Sequence, residues 1–220
     1  MTGMFQREKD LVRKLKSNYA HICNWNTDTF TTKVLEEVDL GFGVADLVIS
    51  KMKSSQNSKE IILNYFDITI YKIIESNPQI SFEKIRHITR ADSSTIKKSI
   101  EKLMVESYIR EMDALYKLGR PYKNCLTDSI AIEAKLKNWK RALNQAYRYK
   151  WFASTSYVVL DEKRIAGAVS NLELFKKMNV GLACIDKKGT VSVLYKPKKE
   201  KPVDEKMQML LNERFVSELS

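Results

Sequence analysis

Glu133 and Lys135 stand two residues apart inside the apolar stretch Ile130-Ala-Ile-Glu-Ala-Lys-Leu136. Such a stretch reads as a strand, and in a strand residues two apart share a face. Glu133 and Lys135 then project together while Ile132, Ala134 and Leu136 turn inward. Upstream, Glu37-Val-Asp-Leu-Gly-Phe-Gly-Val-Ala-Asp-Leu-Val-Ile49 supplies a further acidic position, Asp46, in a run that otherwise reads as buried strand. A lone charge there needs a partner. Two carboxylates and a lysine suit the cutting of a phosphodiester. That bond resists hydrolysis because its negative charge repels hydroxide, and a hard cation beside a lysine can neutralise the phosphate.

The strand of Glu133 runs straight into a basic segment predicted to be a helix over residues 138 to 152. Between Lys137 and Lys150 lie Lys140, Arg141 and Arg148 and no acidic residue, a stripe able to hold a phosphate backbone at a salt-dependent cost. Gln145 and Tyr149, four apart, share one helix face with Arg141 a turn earlier. Trp139 and Trp151, at the two ends of the helix, read as core anchors.

Asp46 followed by Glu133-Ala-Lys135 resembles the paired core motifs of the PD-(D/E)xK nuclease superfamily, which has the restriction-endonuclease-like fold. Gln145-Ala-Tyr-Arg-Tyr149 resembles the Q-x-x-x-Y element of its RecB-like branch. The proline of the first motif is absent, Ala45 standing before Asp46. The resemblance implies an α/β fold, a mixed sheet flanked by helices. It implies Mg²⁺ or Mn²⁺ held by Asp46, Glu133 and the Ala134 carbonyl, with water completing the shell. Lys135 would position the attacking water or stabilise charge developing on the phosphate. Gln145 and Tyr149 would work at the same site. For an additional carboxylate the candidates are Glu8 and Glu37. Glu37 is preferred, because its strand is expected to pair in a hairpin with that of Asp46, and Glu36 would point the other way.

In compact members of the superfamily that the chain resembles, the two motif strands are near neighbours in sequence; here Asp46 and Glu133 lie far apart, so the resemblance implies an insertion. Four segments are expected: a first part of the nuclease core over 1–58, an inserted domain over 59–128, the second core part over 129–196, and a charged linker with an amphipathic helix over 197–220. The first part opens with a helix over residues 5 to 22 and then two strands joined at Gly41-Phe42-Gly43. Within the insert, helices are expected over 60 to 76, from a Ser81 N-cap, and from Asp92. Short strands follow around Gly119-Arg120-Pro121. Three helices and a β-wing resemble a winged helix-turn-helix. With Ile96, Ile100 and Leu103 inward, Ser94, Lys97, Lys98 and Lys102 face solvent, and Lys117, Arg120 and Lys123 lie near the wing turn. These form the expected DNA-binding set together with Lys140, Arg141 and Arg148. A dimerisation module is the competing reading of the insert.

The chain has 220 residues, a formal net charge of +11 and a pI near 9.4, a balance that favours a polyanionic partner or an anionic membrane surface. No apolar run approaches the roughly 20 residues of a membrane span, and the amino terminus lacks the apolar core of a signal peptide. Cys23, Cys125 and Cys184 show neither a disulfide frame nor zinc-ligand spacing, and His21 and His87 have no partner nearby in sequence. A cytoplasmic protein with reduced thiols is expected. Its expected function is that of a metal-dependent DNA endonuclease whose inserted winged helix holds the duplex. The terminal helix, with Met207, Leu210, Leu211 and Phe215, is expected to pack on its own domain or on a twin subunit in a homodimer. The alternative is a catalytically inactive DNA-binding regulator or assembly protein, in which Asp46 and Lys135 are only a structural ion pair.

Overall fold

The structure is a computed structural model and describes residues 3–23, 25, 30–53 and 61–218. In chain order its elements are α1 (Glu8–Lys16), α2 (Ala20–Cys23), β1 (Phe30–Asp39), β2 (Val44–Lys53), α3 (Tyr65–Ser76), β3 (Ile80–Ser81), α4 (Phe82–Thr89) and α5 (Ser93–Val105). There follow β4 (Ile109–Met112), β5 (Leu115–Leu118), β6 (Leu126–Lys135), α6 (Trp139–Arg148), β7 (Thr155–Asp161), α7 (Ala166–Val169), α8 (Leu172–Met178), β8 (Gly181–Ile185), β9 (Val191–Tyr195) and α9 (Glu205–Ser217). The chain forms two compact units: Met1–Ser55 with Leu126–Asp204, and Gln56–Cys125 with Glu205–Ser220.

The first unit is a mixed six-stranded sheet in the order β1-β2-β6-β7-β8-β9, flanked by helices. β6, β7 and β8 run parallel, because a helical crossover separates each from the next; the remaining pairs are antiparallel. β1 and β2 are joined by the turn Leu40-Gly-Phe-Gly43. Gly43 has φ +106°, a conformation L side chains rarely adopt, and a Cβ there would stand 3.8 Å from the Tyr149 ring. On one face of the sheet Leu47, Ile49, Ile130, Ile132, Ala134, Tyr157, Val159, Ala183 and Ile185 form a core with Leu11 and Leu15 of α1 and Ile22 of α2. By strand alternation Asp46, Ala131, Glu133 and Val158 belong to the opposite face. There α6 lies along β6 and β7 and buries Ala142, Leu143 and Ala146.

The helix expected over residues 5 to 22 is broken. α1 stops at Lys16, where the Asn18 side chain donates to the Lys14 carbonyl at 2.8 Å, a local hydrogen bond competing with further helix, and α2 begins at Ala20. Phe5 is buried ahead of α1 in an extended lead, its N–H donating to Asp161 at 2.7 Å.

The second unit combines α3, α4, α5 and α9 with a three-stranded antiparallel sheet in the order β3-β5-β4. Its helix starts follow the cap chemistry. Asn64 and Asp67 form a reciprocal capping box on α3, Ser81 caps α4 and Asp92 caps α5. Ile68, Ile70, Ile74, Ile85, Ile96, Ile100 and Leu103 make its core, which Met209 of α9 joins. α9 is therefore built into this unit and is not an appendage. Glu213, buried on α9, accepts from the Leu63 N–H at 2.9 Å and the Tyr122 hydroxyl at 2.6 Å, and Asn212 accepts from the Cys125 N–H at 2.8 Å. The polar stretch Lys51-Met-Lys-Ser-Ser-Gln-Asn-Ser58 reads in the sequence as a turn-rich linker; Lys51 to Lys53 instead continue β2, and the remainder lies outside the described residues. Among the described residues no helix is long and apolar enough to cross a membrane, and the three cysteines are free.

Candidate acidic site on the central strands

β2 and β6 are neighbours in the sheet, and their residue-to-residue pairing runs out at Leu47 and Ile132. One step beyond, Asp46 and Glu133 come to face each other. Here a side chain replaces the ladder: the Asp46 Oδ2 accepts the Ala134 N–H at 2.7 Å. Lys135 bends back over the pair, its Nζ 3.0 Å from Glu133 Oε1 and 3.8 Å from Asp46 Oδ2. Tyr149, at the end of α6, lies wholly buried and donates its hydroxyl to Glu133 Oε2; the same hydroxyl is 2.7 Å from the Val44 carbonyl oxygen.

Glu8 completes the group from the first turn of α1. Its Oε2 is 3.2 Å from Lys135 Nζ, and its Oε1 accepts the Leu136 N–H at 3.4 Å. Glu37 stands at the register position opposite Asp46, between the pairs Glu36–Leu47 and Val38–Ala45. Its φ of 51° departs from strand geometry, its side chain is exposed, and its charge still reaches Asp46. Of the two candidates for an additional carboxylate, Glu8 makes the direct contacts.

The electrostatics are those of a crowded, partly dry cluster. Burial pushes the Asp46 carboxyl above its usual range, against the Ala134 N–H and Lys135, and Glu8 and Glu37 push it further. Burial likewise raises Glu133; the Tyr149 hydrogen bond and Lys135 oppose this, and Asp46 adds to it. For Lys135 burial acts downward, but Asp46, Glu133 and Glu8 outweigh it and hold the ammonium above its ordinary value. Tyr149 is raised by burial and then by Glu133, so its proton stays on the ring oxygen. One buried polar atom on α6 has no protein partner. Gln145, one helical turn before Tyr149, has its Oε1 buried and unbonded.

The described residues contain no group of three or more His, Cys, Asp and Glu side chains placed to hold a metal ion. The donors at hand are the Asp46 and Glu133 carboxylates. That set suits a small hard cation that keeps several waters, and it does not suit an all-protein cage. Two carboxylates with raised affinity for protons, facing each other across β2 and β6, fit such a cation.

The structure thus brings Asp46, Glu133, Ala134, Lys135 and Tyr149 together, with Gln145 adjacent on α6. The basic residues named from the sequence divide. Lys140, Arg141 and Arg148 are exposed on α6, and Lys97, Lys98 and Ser94 are exposed on α5, Ser94 bonding Asp92. Lys117 is half-buried on β5, and Lys123 is exposed beyond it. Two are engaged inside the fold. Lys102 donates to the buried Asp67 at 2.9 Å, where Ser99 also donates at 2.6 Å, and Arg120 is 2.7 Å from Glu106 and lies over the Tyr108 ring. Trp139 is half-buried against Phe175, whereas Trp151 is exposed and stacks on Phe42.

The Val44 carbonyl and the Asp46-to-Ala134 link escaped the sequence, because backbone groups leave no residue signature. The Phe42 to Trp151 stack had one faint signal, an aromatic placed between two glycines of a tight turn. Comparison with protein-family models, with curated proteins and with solved structures gave no match for this chain.

Proposed function

We propose that the chain is a metal-dependent DNA endonuclease of the PD-(D/E)xK kind, with its second unit acting as a winged helix that holds the DNA. The observation carrying this reading is the meeting of Asp46, Glu133 and Lys135 at the point where β2 and β6 stop pairing. A carboxylate as buried as Glu133, set beside the half-buried Asp46, costs stability unless something is gained from it. Catalysis of phosphodiester hydrolysis is such a gain.

Asp46 and Glu133 would hold Mg²⁺ or Mn²⁺, with the Ala134 carbonyl as a further oxygen ligand. The bound cation would offset phosphate charge and make water a nucleophile at neutral pH. Lys135, kept protonated by its carboxylate neighbours, would lie against the phosphate and stabilise the charge that develops there. Tyr149 fixes the Glu133 carboxyl and cannot act as an acid near neutral pH, since its proton is held too tightly. Gln145 offers an amide to orient the phosphate or the attacking water. Lys140, Arg141 and Arg148 would bind the flanking backbone.

In the second unit α5 follows α4 through a short turn, and the two-stranded β4–β5 hairpin comes next, the order of a winged helix. The exposed Lys97 and Lys98 on α5 support binding to a phosphate backbone. The test is to incubate the purified chain with supercoiled, linear, branched and single-stranded DNA, with and without Mg²⁺ or Mn²⁺. Cation-dependent cleavage is expected. Binding with no cleavage under any cation would point to the regulator reading, and neither binding nor cleavage to an assembly protein.

A further inference from the structure

Beside the acidic site the surface carries aromatic rings among its positive charges. Along α6 and the turn that follows it, Lys140, Asn144, Tyr147, Arg148 and Trp151 succeed one another at helical spacing, and all are exposed. Tyr147 retains 48% and Trp151 39% of its surface in solvent, although the same helix buries Ala142, Leu143 and Ala146 on its inner side. Trp151 is stacked on Phe42 of the β1–β2 turn, ring centroids 4.8 Å apart and planes inclined by 16°. Both rings are tied to the candidate site by short lengths of chain. Two residues after Phe42, the Val44 carbonyl meets the Tyr149 hydroxyl, and two residues before Trp151, Tyr149 itself bonds Glu133. Arg148 precedes Tyr149, its guanidinium 4.0 Å from where a Cβ on Gly43 would be.

We propose that the Phe42–Trp151 stack is a platform for an unpaired base. The site then takes nucleic acid whose strand is unpaired beside the phosphate facing Asp46 and Glu133: a single strand, a frayed end or a branch, and not a continuous duplex. This rests on the reading that the site receives a nucleic-acid phosphate. Inside a continuous duplex the base faces are already stacked on one another, so an interior base must be unpaired and leave the stack to lie on a ring. Stacking of one base on an aromatic side chain is tolerant of sequence because every base has a π-face, and Lys140 and Arg148 supply the charge that follows the backbone.

The measurement is binding in the presence of a chelator, so that no cleavage is involved. A short oligothymidylate and a blunt duplex of equal length are titrated against the full chain, reading tryptophan emission and the anisotropy of a dye on the DNA. The oligothymidylate is expected to quench wild-type emission. Trp151→Ala should weaken single-strand binding about ten-fold and leave duplex binding unchanged. Phe42→Ala, which removes the half-buried ring under Trp151, should act in the same direction. Trp151→Phe, which keeps a ring, should retain affinity and lose the quench. No quench in the wild type, or equal weakening on single strand and duplex, would overturn the platform. Cation-dependent cleavage with no Trp151 effect would overturn it and leave the nuclease reading standing. A Trp151 effect without cleavage under any cation would do the reverse.

Discussion

Glu133 is 1% exposed, and burial raises its carboxyl above the ordinary glutamate value of 4.5. A carboxyl whose folded pKa is raised contributes its full stability below the unfolded value and loses it as pH rises through the folded one. At neutral pH the charged Glu133 therefore destabilises the fold relative to a neutral group of the same shape. Glu133→Gln keeps an oxygen for the Tyr149 hydroxyl and removes the charge. In thermal melts with chelator present, this variant should melt on the order of 2 °C above wild type near neutral pH. The two should coincide below about pH 4, where wild-type Glu133 is itself neutral. Its cleavage should be lost, which is the usual opposition between stability and activity at a strained site. A variant less stable than wild type at neutral pH would make Glu133 a structural partner of Lys135.

At the scale of elements, the two outward-looking lysine sets differ in their work. Lys97 and Lys98 on α5 are exposed, while Lys102, one turn on, neutralises an Asp67 carboxylate that is itself buried. Lys97→Ala with Lys98→Ala should weaken duplex binding and lower the salt slope by roughly 0.9 for each phosphate no longer neutralised, with little change in melting. Lys102→Ala should instead cost about 1–2 kcal/mol of stability in denaturant melts. That figure is reduced from a fully buried pair because the lysine end is partly in solvent. Equal effects of all three on DNA binding would return Lys102 to the DNA-facing surface. This division marks the limit of what the sequence could reveal. The period of Ile96, Ile100 and Leu103 disclosed the inward face of α5, and the caps at Ser81 and Asp92 obey rules local enough to read from neighbouring residues, whereas the Asn64 cap was missed and α3, expected from residue 60, begins at Tyr65. Lys102 lies on the margin of that face, and its partner Asp67 is on another helix, so the pairing exists only in three dimensions. Glu133 and Lys135 were legible because strand alternation is local. Glu8 reads in the sequence as an exposed helix residue, because nothing in the chain before Lys16 says where α1 will lie against β6.

For the whole molecule, the chain leaves its first unit after β2 and returns at β6, so the two acidic strands become neighbours across an inserted segment. It leaves again at Glu205 to complete the second unit with α9. The separation of the two acidic motifs pointed to one long insertion, and the Lys-Pro-Lys-Lys-Glu-Lys-Pro stretch before α9 read as a charged linker. Residues 196–204 instead belong to the first unit, where the Val203 N–H donates to the Lys150 carbonyl at 3.1 Å and Lys150 meets Glu200 at 2.7 Å. The excess positive charge lies on both units, on α5 in one and α6 in the other, so binding should survive loss of the acidic site. Cleavage should not. The most direct test of the central claim compares wild type with Asp46→Ala and Glu133→Ala, following DNA cleavage with Mg²⁺ or Mn²⁺ beside DNA binding with chelator. The expected result is a fall in cleavage of at least about a hundred-fold for each variant, with DNA affinity within about two-fold of wild type. Cleavage by either variant at the wild-type rate would contradict the assignment of Asp46 and Glu133 to the chemistry.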